Sequence, residues 1–270
     1  FTCYDNNPEL TSDARDFRDP KVFWHKETRP WIMILAVGQE MQIFSSPNLK
    51  DWTYESSFGE GQGAHGGVWE CPDLFELPVE GTNEKKWVLL CNLNPGGPFG
   101  GSATQYFVGT FNGKEFVNES PSKTKWMDWG KDHYATVTWS DAPDNRRIAI
   151  AWMSNRQYPN DVPTSQYRSP NSVPRDLGLF TVGGETYLQS APSPELQKLR
   201  DISKKRSFRV NGTRTVKEMI PVNEGAYEIE LSIKNLHADV IGFRLYNDKG
   251  EEVDMQYDMK EKRFSMDRRK

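Results

Sequence analysis

One pattern recurs three times in the first two-thirds of the chain, and it restricts the fold more than any other feature. Each repeat opens on a strand headed by an acidic residue, crosses a charged turn and enters a continuous apolar strand. It then leaves by an alternating one. The first opens at Arg18-Asp19-Pro20 and continues through Trp31-Ile32-Met33-Ile34-Leu35-Ala36-Val37 to Gln42-Ile43-Phe44-Ser45-Ser46. The second opens at Glu70-Cys71-Pro72-Asp73 and runs through Trp87-Val88-Leu89-Leu90-Cys91-Asn92 to Thr104-Gln105-Tyr106-Phe107-Val108-Gly109. The third opens at Asp132-His133-Tyr134-Ala135 and continues into Arg147-Ile148-Ala149-Ile150-Ala151-Trp152. The openings lie roughly fifty to sixty residues apart, a period in the range of propeller blades once loops are allowed for.

A continuous apolar strand has to be covered on both faces, as in a sheet stacked between neighbouring sheets. The expectation is therefore an all-β chain in which radially stacked sheets form part of a β-propeller. In that architecture the first strand of every blade lies nearest the axis. Asp19, Glu70 and Asp132 would then converge at one end of the channel although they are far apart in sequence. Composition agrees. The 17 Pro and 21 Gly suit many turns, and almost no 3.6-residue periodicity is present. One helix-like segment, Ser193-Pro194-Glu195-Leu196-Gln197-Lys198-Leu199-Arg200, has Ser193 placed as an N-cap and Pro194 at the first position. Beyond it Ser207–Val210, Ala226–Ile233, Ile241–Tyr246 and Val253–Asp258 alternate apolar with polar, the pattern of a two-sheet sandwich. The domains expected are a propeller portion over 1–187, a linker with a short helix over 188–203, and a sandwich portion over 204–270.

Net charge is −4 with both signs dispersed, so the chain offers no basic face for nucleic acid and no polybasic membrane patch. No apolar run approaches the ~20 residues of a membrane-spanning helix. The three cysteines match no zinc spacing, and neither a metal nor any other cofactor is expected. Read from residues alone, Glu70 is either a strand-edge carboxylate facing water or an acid whose pKa is raised by burial beside Trp69. Asp19 is either a local partner of Arg18 or a site carboxylate kept ionised by that cation. His65 fits loop architecture in a glycine-rich turn, and Cys71 a small buried group with no thiol chemistry.

These motifs together resemble glycoside hydrolase family 32, the invertase, inulinase and levanase group. The resemblance rests on Arg18-Asp19-Pro20, Glu70-Cys71-Pro72, Asp132-His133-Tyr134-Ala135 and Ala151-Trp152-Met153-Ser154-Asn155. It implies a five-bladed propeller joined to a β-sandwich, and hydrolysis of β-fructosidic bonds with retention. Glu70 would be the general acid/base and Asp19 the transition-state stabiliser. Arg18 and Asp19 would hold hydroxyls of the terminal fructosyl ring, while Tyr134 and Trp152 line or support its pocket. Asp132 could accept a substrate hydroxyl or only orient its neighbours. The family's nucleophile lies in a Trp-Met-Asn-Asp-Pro-like motif that the chain does not contain. The resemblance thus implies a fragment without the first blade and most of the second, inactive by itself. Expected substrates are levan, inulin or sucrose, and the expected location is secreted or periplasmic. A non-catalytic fructan-binding propeller and a fructosyltransferase are the rival readings. Two family positions differ here: His133 and Trp129 stand where other aromatic residues are usual.

Overall fold

The computed structural model describes residues 2, 4–201, 204–216, 226–234 and 236–268. The chain divides into two compact units, Phe1–Asp201 and Ile202–Lys270. The first holds three antiparallel sheets, each built in simple chain order. Sheet one comprises β1 (Phe17–Trp24), β2 (Trp31–Val37), β3 (Glu40–Ser46) and β4 (Thr53–Phe58). Sheet two comprises β5 (Val68–Pro78), β6 (Lys85–Asn94), β7 (Ala103–Phe111) and β8 (Phe116–Asn118), with the two-residue β9 (Lys125–Trp126) also on β7. Sheet three comprises β10 (Tyr134–Trp139), β11 (Arg147–Trp152), β12 (Arg175–Val182) and β13 (Glu185–Pro192).

The repeat is therefore a real structural unit, one four-stranded meander per copy. Sheet two shows why its second strand reads as unbroken hydrophobicity. Leu89, Cys91 and Leu93 of β6 face one way, into a cluster with Ile32, Ile34 and Ala36 of β2 and Met41 and Ile43 of β3. The intervening Val88 and Leu90 face the other way, into a cluster with Ala149 of β11 and Leu177 and Leu179 of β12. Alternate side chains of one strand thus glue two different neighbours, and each fully buried Leu or Val contributes about 1.5–3 kcal/mol. The opening strands β1 and β10 each adjoin β5, as expected of strands set around a propeller axis.

Some expectations need correction. Each sheet has a fourth strand, and β4, β12 and β13 carried no clear signal. β4 is half exposed, and β12 and β13 are only partly buried, so none of the three has an unbroken buried run to betray it. β13 is paired along its whole length to Pro192, so the propeller portion extends into the stretch expected as linker. The helix-like segment is a 3₁₀-helix, Pro194–Leu199. Ser193 sits at its N-cap without capping it, because its hydroxyl donates to Asp176 Oδ1 (2.5 Å) instead.

In the second unit β14 (Val240–Tyr246), β15 (Glu252–Asp258) and β16 (Arg263–Asp267) form one antiparallel sheet. The stretches 207–210 and 226–233, expected as strands, are described without strand pairing. Alternation specifies which side chains share a face, but a strand also needs a partner ladder for its backbone groups. Among the described residues no helix is long and apolar enough to cross a membrane, and no cluster of His, Cys, Asp and Glu could hold a metal ion. Cys71 and Cys91 are free thiols, and Cys3 lies outside the described residues.

Candidate active site

The three opening strands share one irregularity. Pairing slips between Arg18 and Lys21 in β1, between Glu70 and Asp73 in β5 and between Tyr134 and Val137 in β10. Inside each bulge one residue has positive φ: Asp19 (57°), Cys71 (44°) and Ala135 (50°). Asp tolerates that region, whereas Cys and Ala pay for it, on the order of 1–3 kcal/mol each. Bulges re-aim side chains beside functional sites, and here the same device is used three times at one level. The register makes Arg18, Glu70 and Tyr134 equivalent, each the last paired residue before its bulge. Asp132, expected to be the third equivalent acid, instead precedes β10, and its carboxylate accepts the Tyr158 hydroxyl.

The bulges bring sheets one and two into direct contact. Arg18 Nη1 donates to Glu70 Oε1 at 3.0 Å. One residue further, the Cys71 N–H, released from the ladder by its bulge, donates to Asp19 Oδ2 at 2.9 Å. Asp19 is therefore held against the residue that follows Glu70. Arg18 turns its other nitrogen to Asp16, not to Asp19 as its sequence neighbourhood suggested. Tyr134, fully buried, lies edge-on to Trp152, its cross-strand partner, with ring centroids 6.3 Å apart. The Tyr134 hydroxyl is buried with no hydrogen-bond partner, an acceptor and donor in reserve.

Burial pushes the Glu70 carboxyl above its ordinary pKa, and the charges around it pull in both directions. Arg18 and Arg156 lower it while Asp19 and Asp16 raise it. Trp69 lies on the other face of β5. Successive side chains leave a strand by opposite faces, and Trp69 packs in the core on Phe107 and stacks on His65 at 5.0 Å. His65 is loop architecture, as its setting implied: its Nε2 contacts the carbonyls of Gly59 and Gln62 at 2.8 and 2.9 Å. Burial, with Asp19 adding to it, pushes the Cys71 thiol up to about 12, so it stays protonated and is no nucleophile.

Three contributors carried no sequence signal. Asp16 and Arg156 belong to loops, each just outside a motif and not part of it. Asn92 is wholly buried near the end of β6. Its amide donates to Cys71 O (3.0 Å), while its carbonyl accepts from Thr104 Oγ1 (2.6 Å) and Thr136 N (3.1 Å). It thus ties the bulge of sheet two to that of sheet three. A neutral polar residue in a strand, without a charged neighbour, offers nothing to read until those partners are in place.

His133 gives a test of this scaffold. Burial first, and the Arg175 charge second, hold its pKa down to about 4, although Asp128 opposes them. A histidine depressed in the folded state stabilises the fold above its unfolded pKa of ~6.5, and that contribution is lost as pH falls toward 4. We expect the melting temperature to drop between about pH 6.5 and 4. His133→Phe should flatten that part of the profile, as followed by calorimetry across the range. An unchanged slope in the variant would show that other groups cause it.

The chain is similar to known proteins along nearly its whole length. A levanase from Bacillus subtilis (strain 168) is 44% identical over 275 residues, covering 99% of this chain and 41% of the levanase. An extracellular exo-inulinase from Aspergillus awamori is 40% identical over 224 residues, covering 78% of this chain and 41% of that protein. Among solved structures, exo-inulinase from Aspergillus awamori superposes with a TM-score of 0.78 at 32% identity, covering 97% of this chain and 54% of that one. A fructofuranosidase from Schwanniomyces occidentalis, complexed with fructose, gives 0.77 at 30%, covering 99% of this chain and 55% of that one. The chain thus spans about half the length, or less, of these relatives. Residues 1–192 match the glycosyl hydrolases family 32 N-terminal domain and residues 195–270 the family 32 C-terminal domain, with the division just after β13. The chain belongs to glycoside hydrolase family 32.

Proposed function

We propose that the protein to which these residues belong is a secreted β-fructosidase that removes fructose from the ends of levan or inulin with retention of configuration. The observation carrying this reading is the paired contact between sheets one and two. Arg18 on Glu70 and Asp19 on the Cys71 N–H bring two carboxyl groups from two different sheets to one place. Glu70, biased toward its neutral form, is suited to protonate the leaving oxygen and then, ionised, to activate the incoming water. Asp19, fixed by the bulge N–H, steadies ring hydroxyls as positive charge develops at the anomeric carbon. Arg18 orients Glu70 and offers donors to the sugar, and Tyr134 and Trp152 form the wall beside it. Asp132 acts through Tyr158, holding the loop after β11. The extracellular exo-inulinases among the relatives support the location. The three sheets would be blades of a five-bladed propeller.

The 270 residues contain no Trp-Met-Asn-Asp-Pro-like segment, so this chain alone is expected to release no fructose. Incubation with levan and inulin, with chromatography of early products, tests both parts. Fructose as the first product from a protein that also carries that segment supports exo-hydrolysis. Early release of longer oligosaccharides would sink the exo reading, and release by the purified 270-residue chain would overturn the inactivity.

A further inference from the structure

One arginine beside the site is left unused by the roles above. β11 ends at Trp152, and the loop that follows is clamped on both sides of Arg156. Asn155, fully buried, donates to Lys131 O (2.7 Å) and Ser102 O (3.3 Å) and accepts from the Gln157 N–H (3.0 Å). The Arg156 N–H itself donates to Ser102 Oγ at 3.2 Å. On this pinned backbone the Arg156 side chain reaches back, exposed to solvent. Its guanidinium carbon lies 5.9 Å from the Tyr134 ring centroid and 5.6 Å from that of Trp152. Its positive charge reaches Glu70.

Three other arginines of the same unit are held by carboxylates. Arg18 pairs with Asp16 and Glu70, Arg146 with Asp176 and Glu195, and Arg175 with Asp128. Among the described residues no carboxylate lies within ion-pair distance of Arg156, so its five N–H donors face the site without a protein acceptor. A guanidinium stacked on aromatic faces keeps its charge and its planar fork while its edge stays available for oxygen ligands.

Resting on the site reading above, we propose that Arg156 is a substrate-positioning residue that donates hydrogen bonds to hydroxyls of the sugar unit on the leaving side of the bond that Glu70 protonates. Depth decides the side. Tyr134 is buried and Trp152 is half-buried, so a terminal ring seated deep on the exposed side of this aromatic pair would direct its glycosidic oxygen outward, toward Glu70 and solvent. The exposed Arg156, above the same two rings, then meets the next unit out. Its donors would match adjacent hydroxyls of a neutral saccharide, and a leaving group without hydroxyls would gain nothing from it.

The experiment compares Arg156→Gln, Arg156→Lys and Glu70→Gln with the unaltered protein, each in a chain that also carries the nucleophile segment. Steady-state kinetics are run on a fructan oligosaccharide and on an aryl fructoside. A lost charge-assisted hydrogen bond should raise KM for the oligosaccharide about tenfold in Arg156→Gln while leaving KM for the aryl fructoside nearly unchanged. Removing the cation also leaves Glu70 facing Asp16 and Asp19 with only Arg18 to oppose them. The alkaline limb of kcat/KM should therefore move to higher pH in Arg156→Gln and stay in place in Arg156→Lys. An unchanged oligosaccharide KM in Arg156→Gln, or an equal rise on both substrates, beside an inactive Glu70→Gln overturns this inference alone. Near-normal turnover by Glu70→Gln overturns the site reading and this inference with it.

Discussion

In a protein that also carries the nucleophile segment, Glu70→Gln should lower kcat on fructan by at least about 10²-fold, the low end for a lost general acid or base, with KM little changed. The amide keeps the size of the carboxyl and can still accept from Arg18 Nη1, so the contact at 3.0 Å and the bulge around it survive. What disappears is the transferable proton. Asp19→Asn should be comparably slow for a different reason. The side chain stays near the Cys71 N–H, but the negative charge that faces the developing cation is gone. The two variants also separate by pH. Asp19 raises the Glu70 pKa, so its neutralisation should draw the alkaline limb of whatever activity remains to lower pH. Near-normal turnover in both variants would remove these residues from the chemistry.

Lys21→Met should cost about 3–5 kcal/mol of stability, the range for stripping a buried charge of its partner. Lys21, just past the first bulge, reaches across to the second sheet, where its ammonium lies 3.2 Å from Asp73 Oδ2, and donates to Thr138 O in the third at 2.9 Å. Asp73 is nearly inaccessible; its Oδ2 also accepts from Thr138 Oγ1 (2.6 Å), and its Oδ1 has no partner. The three opening strands are thus latched by one buried carboxylate that depends on Lys21 for neutralisation. Arg147, bonded to Thr138 Oγ1 at 3.2 Å, gives part of that neutralisation and sets the expected cost toward the lower figure. Lys21→Met/Asp73→Leu should recover most of the loss, because no uncompensated charge remains. Chemical denaturation reads both. If Lys21→Met unfolds at the same denaturant concentration as the parent, the latch is not a source of stability.

How far the residues alone could carry the reading differs from element to element. β2 and β6 were legible because burial on both faces leaves an unbroken apolar run, and that in turn implied stacked sheets. β4 and β13 were not, since an outer strand needs only the hydrogen-bond ladder of its neighbour and carries little apolar pattern of its own. The stretch 226–233 shows the opposite failure: clean alternation, with no strand paired to it among the described residues.

At the site, Arg18, Asp19 and Glu70 stood out because they open repeats, and Tyr134 and Trp152 because they match aromatic positions in motifs shared with family 32. Those are properties of order along the chain: which residue types recur, at what period, and which strands have to be covered on both faces. The repeats could not say which of the recurring residues are equivalent, and Asp132 was aligned with Glu70 where Tyr134 belongs. That alignment depends on the bulges, and a bulge is a mismatch between two paired strands that neither strand spells out by itself. The same holds for Asn92, Asp16 and Arg156. Their roles exist only as distances to partners dozens of residues away, set when the three sheets close on one another.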